Sequence, residues 1–204
     1  MLTGLRSELV DAADRLIRER GVAALTTRDI AREAGCSDGA LYTHFPGKAD
    51  LLMAVCQERL PDLRGQIGDL VNRVGSGTVA GNLEAIVRAT QQFMRGLVPL
   101  TNAVASDPEL RQRWREHFRH EVIPPRRTVE ALSEYIAAEQ RIGRVGRHVN
   151  PRVVASLAIG ACFASASAEY VFDQTPHGFS DEQFARMVAR ALWDGMTPKE
   201  EQQP

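Results

Sequence analysis

Apolar residues at Leu5, Leu9, Ala13, Leu16 and Ile17 recur at the 3.6-residue spacing of one helical face, with Arg6, Glu8, Arg15 and Glu19 opposite them. This predicts a first helix, ended by Gly21. Thr26 opens a second with Asp29 three residues on, in the pattern of a capping box, and Ile30, Ala31 and Ala34 form its apolar side until Gly35 stops it. Ser37 caps a third, DGALYTH, with Leu41 and Phe45 turned inward. Pro46-Gly47 is a turn, and Lys48 opens a fourth helix carrying Leu51, Leu52, Val55 and Leu60. Pro61 is expected to end or kink it, because proline removes a helical hydrogen bond and clashes with the preceding turn.

Beyond Gly75-Ser76-Gly77, helical patterns occupy about 79–98, 108–120, 124–142, 151–173 and 180–195. They are separated by Pro99, Pro108, Pro124-Pro125, Asn150-Pro151, and Pro176 with Gly178. Asn150-Pro151 reads as an N-cap with proline in the first helical position, and Ser180 with Gln183 as a capping box. No alternating run is long enough for a strand. The fold class is therefore all-α. An N-terminal three-helix unit is expected over residues 1–47, a larger helical domain over 48–196, and a disordered polar tail, TPKEEQQP, over 197–204.

Composition narrows the function. The formal net charge of -1 supplies no global basic field, so any nucleic-acid contact must come from a local patch. Residues 1–60 carry eight Lys or Arg against nine Asp or Glu, which predicts moderate, salt-sensitive affinity. The three cysteines, Cys36, Cys56 and Cys162, form no C-x-x-C pair and suit free thiols in a reducing cytoplasm. The N-terminal stretch has no apolar core of a secretory signal. The longest uncharged run, Val153 to Ala168, is shorter than the roughly 20 residues of a membrane span, so no membrane partner is expected. No nucleophile elbow, phosphate loop or ligand-spaced metal set is present, so no catalytic residue, metal or cofactor is expected.

The stretch IAREAGCSDGALYTHF, residues 30–45, meets the steric needs of a helix-turn-helix. Ala31 lets two helices touch, Gly35 supplies the positive φ of the tight turn, and Cys36 plugs the gap behind it. Leu41 and Phe45 then lock the second helix down, leaving Asp38, Gly39, Ala40, Tyr42, Thr43 and His44 outside. A short, polar and aromatic face of this kind suits insertion into a major groove.

The segment LTTRDIAREAGCSDGALYTHFPGKADLLMAV, Leu25 to Val55, resembles the DNA-binding region of the tetracycline-repressor-like (TetR) family of bacterial regulators. The resemblance rests on Thr26-Thr27, Ile30-Ala31, Ala34-Gly35, Ser37, Leu41-Tyr42, His44-Phe45, Lys48 and Leu51-Leu52, with Cys36 where an aliphatic residue is common. It implies that Tyr42, His44 and Lys48 contact phosphates and that Thr27 and Arg28 contact phosphate or an adjacent base. It further implies that Ser37 caps the helix and touches backbone, while Asp38, Gly39, Ala40 and Thr43 face base edges. Asp38 has two compatible roles: favouring the helix N-terminus by about 0.3–1 kcal/mol, and accepting a hydrogen bond from cytosine N4.

In the larger domain, Gly160, Ala164 and Ala168 form a small-residue stripe, flanked by Ala161 and Ser165, with Leu157 and Phe163 on another face. The last helix presents Phe184, Met187, Val188, Ala191 and Leu192 along one side. Read alone, these faces fit either an internal core or a partner. The resemblance implies the partner: a homodimer in which both helices pair with their copies, using Leu157, Gly160, Ala161, Ala164, Ala168, Phe184, Met187, Val188 and Ala191. It also implies that part of the set Phe93, Leu97, Trp114, Phe118, Tyr135 and Phe163 lines a cavity for a small effector, where spacing alone reads as plain core. His117 and His120, beside Glu116 and Glu121, are interleaved with Arg115 and Arg119, so they are expected to form a solvated face and not a metal site.

The expected function is a DNA-binding transcriptional regulator. It is read as a repressor that releases palindromic double-stranded operator DNA when a mainly apolar small molecule binds the larger domain. The alternatives are an effector-independent DNA-organising protein of the same fold, or an all-helical enzyme.

Overall fold

The computed structural model describes residues 2–22, 25–117, 119 and 124–198. Among the described residues there are nine helices and no strand. They are α1 (Leu2–Arg20), α2 (Thr27–Glu33), α3 (Asp38–His44), α4 (Lys48–Asn72), α5 (Val79–Ser106), α6 (Pro108–His117), α7 (Pro124–Arg141), α8 (Pro151–Phe172) and α9 (Asp181–Met196). The chain forms two compact units, Met1–Pro61 with Gly96–Glu121, and Asp62–Arg95 with Val122–Pro204. The first unit extends past residue 47, and the divisions fall inside α4 and α5.

The first unit is built as its periodicity requires. Leu9, Ala13, Leu16 and Ile17 of α1 are buried with Ile30 and Ala31 of α2, Leu41 of α3 and Phe45, whereas Leu5 is half-buried. Gly21 takes φ +73 just after α1. The Thr26 hydroxyl accepts the Asp29 backbone N–H at 3.1 Å and donates to Asp29 Oδ2 at 2.6 Å. The reciprocal bond of the cap thus goes to the hydroxyl, which holds the Asp29 carboxyl below the usual range.

Neither Pro61 nor Pro99 ends its helix. α4 runs unbroken from Lys48 to Asn72, through Pro61, and α5 runs from Val79 to Ser106 with Pro99 inside it. At Pro99 the physical reason is visible. Pro99 is buried, Leu97, Val98, Leu100 and Val104 beside it are buried too, and Thr101 Oγ1 and Asn102 Nδ2 both donate to the Val98 carbonyl. Burial on both sides of the proline offsets the backbone bond it cannot give to the Arg95 carbonyl, four residues earlier.

In the second unit, α8 packs on α7 and α9. Asn150 caps α8, accepting from the Arg152 and Val153 N–H groups, with Pro151 next to it; Ser180 and Gln183 form the full capping box of α9. A buried polar group ties the α4–α5 loop to α7. Glu139 is fully buried, accepts the Gly75 N–H at 3.2 Å and faces Arg144 at 3.4 Å, while Arg144 donates to the Gly77 carbonyl at 2.6 Å. Gly75 and Gly77 both have positive φ, which lets the loop present these groups.

α8 has 22 residues and a window of mean hydropathy 1.4, so by length and composition it is long and apolar enough to cross a membrane. The helix is thus longer than the uncharged run 153–168, which left out the helix ends. Ala155, Ala158, Ile159, Cys162, Ser165 and Ala166 line one face buried within the unit, which a packed core helix also requires.

Candidate nucleic-acid interface

The turn between α2 and α3 is fixed by backbone bonds. Gly35 takes φ +69, its N–H donates to Arg32 O at 3.2 Å, and the Cys36 N–H donates to Ala31 O at 2.9 Å. Both bonds together close a Schellman motif, with glycine in the left-handed position. Cys36 is half-buried, and burial raises its thiol pKa, helped by the nearby Asp38 and Glu8 carboxylates. Ser37 then caps α3, its Oγ accepting the Ala40 N–H at 3.2 Å.

α3 is anchored through Leu41, fully buried, with Phe45 just beyond it. Arg6 lies over the Phe45 ring at 5.2 Å and pairs with Glu58 at 2.8 Å. The opposite face is open: Gly39 and Thr43 are exposed, Tyr42 is 52% exposed, and Asp38, Ala40 and His44 are half-buried. The Thr43 hydroxyl donates back to the Gly39 carbonyl at 2.9 Å, so its proton is already committed.

Two links join the head of α2 to this face. Thr27 Oγ1 lies 3.1 Å from the Tyr42 hydroxyl, and Arg28 Nε donates to Asp38 Oδ2 at 3.4 Å. Sequence periodicity misses both, because it describes neighbours on one helix and not residues facing each other across a turn. Lys48 is engaged inward. Its Nζ donates to the Val22 carbonyl at 2.9 Å, and burial lowers its pKa, with Asp107 opposing. It also lines a cleft of about 200 Å³ with Gly47, Ala49, Asp107, Glu109, Leu110 and Arg113, where charges of both signs alternate. One of its three N–H donors is thus used within the fold.

The residues expected to line an effector cavity are divided. Leu97 is buried and Trp114 half-buried in the first unit. Phe93 is half-buried, Tyr135 is buried and Phe163 is 47% exposed in the second. Tyr135 accepts from Asn82 Nδ2 at 2.9 Å, and burial pushes its phenol up to about 12. Phe163 therefore faces outward with the expected dimer residues and not into the core. Phe118 and His120 lie outside the described residues, as does the His117 side chain. Among the described residues, no cluster of three or more His, Cys, Asp or Glu could hold a metal ion.

Of the expected dimer residues, Leu157, Gly160, Ala164, Met187 and Ala191 are exposed, and Ala161, Ala168 and Val188 are half-buried. Phe184 is buried within the unit and stacks on the His177 ring at 4.4 Å, so it serves the internal core. Val153 and Tyr170 extend the exposed apolar face of α8.

Residues 9–55 match the family model "Bacterial regulatory proteins, tetR family". The HTH-type transcriptional repressor KstR2 of Rhodococcus jostii is 38% identical over 91 residues, 44% of this chain and 43% of that protein. The chain thus aligns with less than half the length of this curated relative. Among solved structures, a putative TetR-family transcriptional regulator from Mesorhizobium loti superposes with a TM-score of 0.73 at 15% identity, covering 97% of this chain and 98% of its own. The regulator FadR from Bacillus subtilis, solved in complex with stearoyl-CoA, gives 0.67 at 19% identity, covering 93% and 98%. These two likenesses carry the all-α fold across nearly the whole chain, and the N-terminal match carries the descent. The match thus places the helix-turn-helix segment, residues 9–55, in the family of tetR bacterial regulatory proteins, and the fold behind it is the one these two regulators share.

Proposed function

We propose that this protein is a transcriptional repressor. It binds palindromic operator DNA as a homodimer in the cytoplasm and lets go when a mainly apolar small molecule binds the second unit. The observation that carries the reading is α3, held by Leu41 and Phe45 and capped by Ser37, with Gly39, Tyr42 and Thr43 exposed on its outer face. An acidic chain with this one short reading surface needs two copies for affinity and specificity, and a dimer places them about one DNA turn apart, roughly 34–36 Å. The exposed apolar residues of α8 and α9 are the surface for that pairing.

The effector reading rests on the second unit. The named relative is a transcriptional repressor, and the FadR structure is a complex with stearoyl-CoA. Within this unit, Thr90 Oγ1 and Gln91 Oε1 are buried with no hydrogen-bond partner among the described residues. Such groups cost about 1–3 kcal/mol each when unpaired, and an effector carrying one hydroxyl or amide on an apolar body would satisfy them. An enzyme is not favoured, since the relative acts on transcription. Capture of genomic fragments on the purified protein tests the reading. Enrichment of a palindromic sequence supports it; retention of random DNA alone favours the DNA-organising alternative.

A further inference from the structure

Asp38 stands at the start of the helix that faces DNA, where a free carboxylate would repel phosphates. The structure gives it a partner: Arg28 Nε lies 3.4 Å from Asp38 Oδ2, across the turn between α2 and α3. We infer that Asp38 is a positioning residue, holding the Arg28 guanidinium so that its two outer nitrogens read a guanine in each operator half-site. The inference rests on the DNA-binding reading above and names the base that reading leaves open.

Three observations support it. The ion pair uses Nε, and Arg28 is 83% exposed at its side chain, so the four N–H bonds on its outer nitrogens are presented to solvent. A paired fork of that kind matches guanine O6 and N7 in the major groove. Second, both partners are held by their own helices. Asp38 follows the Ser37 cap, and Arg28 lies in the first turn of α2, whose end is fixed by the Gly35 turn. Third, the neighbouring residue repeats the link, with Thr27 Oγ1 3.1 Å from the Tyr42 hydroxyl. Residues 38 and 42 are one turn apart on α3, and residues 27 and 28 are adjacent on α2, so the two bonds brace one edge of the motif.

An exposed ion pair of this type adds little to folding stability. Its value lies in restricting a long, rotamer-rich side chain before DNA arrives, so that less freedom is lost on binding. It also answers the charge problem, because a paired aspartate brings no net negative charge to the groove. Asp38 acting alone as a cytosine reader would instead select its own base pair, whatever residue stood at position 28.

The test is sequence selection from random duplex DNA by the full chain, comparing wild type with Arg28→Lys, Asp38→Ala, Asp38→Asn, Asp38→Glu and the double variant Arg28→Lys/Asp38→Ala. The expected result is that Asp38→Ala and Arg28→Lys relax the same G·C pair of each half-site, by roughly 5- to 150-fold in preference. The double variant should lose no more than the larger single loss, and Asp38→Glu should restore part of the preference. Asp38→Asn keeps the shape of the residue and guards against loss of the fold. A base pair relaxed by Asp38→Ala that differs from that relaxed by Arg28→Lys overturns the inference while leaving DNA binding intact. So does equal weakening on every sequence. If the wild-type chain enriches no sequence, the DNA-binding reading fails first and the inference falls with it.

Discussion

At the scale of single residues, burial and hydrogen bonding separate those that hold the fold from those that face outward. Thr90 is fully buried and its hydroxyl is unpaired among the described residues, so Thr90→Val replaces a desolvated polar group with a methyl of the same shape. Thermal unfolding should rise, by about 1 kcal/mol or roughly 2–4 °C. A fall would mean that the hydroxyl is satisfied after all. The same variant should weaken binding of hydroxylated effectors more than that of their deoxy analogues. Lys48 shows the reverse situation. The family pattern assigns it to phosphate, and the structure adds a bond to the Val22 carbonyl that no sequence rule could supply, because Val22 is 26 residues away. Lys48→Met should therefore lower stability by about 1–2 kcal/mol as well as flatten the salt dependence of operator binding by about one unit. A salt slope that changes with no loss of stability would remove the internal role.

At the scale of elements, the caps, the glycines and the prolines that open α6, α7 and α8 were legible, whereas the two prolines inside α4 and α5 were not. Gly21 and Gly35, Ser37, Asn150 and Ser180 each stand where a local rule places them, because a cap or a left-handed turn depends on a few adjacent residues. Pro99 broke the same kind of rule: the burial of Leu97, Val98, Leu100 and Val104 is set by residues far along the chain, which periodicity does not see. Within the helix-turn-helix, the two glycines predict opposite outcomes. Gly35 has φ +69 with open space around a Cβ, so Gly35→Ala should cost about 1–2 kcal/mol through backbone strain alone. Gly39 lies inside α3 with only the Ser37 hydroxyl oxygen near a Cβ, at 3.9 Å, so Gly39→Ala should stabilise by about 0.5–1 kcal/mol. Chemical denaturation that ranks the two in the other order would contradict the turn geometry. Arg95 makes a further element-scale link, joining α5 to Glu169 of α8 at 2.8 Å and to Asp181 at the start of α9. The Arg95 hydrogen bond holds the Asp181 carboxyl below its ordinary value of 3.8 despite opposing burial. A depressed carboxyl contributes its full stability above the unfolded value and loses it as pH falls through the folded one. Wild type should thus lose stability below about pH 4 more steeply than Asp181→Asn, and equal acid limbs would show that the pair does not contribute.

At the scale of the whole molecule, the question is what covers the outer face of α8. Leu157 is 58% exposed, Phe163 47% and Val153 53%, with Gly160 and Ala164 open between them. A single protomer leaves this row in water, although the rest of the helix is built for burial. Phe163 shows how far the sequence alone reached. Its aromatic character suggested a pocket wall, but on α8 it lies six residues from Leu157, about 120° round the helix, and stands exposed at the flank of that row. The small residues between allow a second helix to approach closely, and α9 adds exposed Met187 and Ala191. In the homodimer proposed above, pairing with a second copy would bury this row and supply the two reading helices that a palindromic operator requires. Sedimentation should show a dimer at micromolar concentration. Leu157→Glu should shift it to monomer, because a charge would be buried in the interface without a partner, and operator affinity should fall at least tenfold while helix content by circular dichroism stays constant. A Leu157→Glu variant that remains dimeric would move the interface elsewhere. A monomeric variant with unchanged operator affinity would mean that one copy of α3 suffices and that the exposed row of α8 serves some purpose other than DNA recognition.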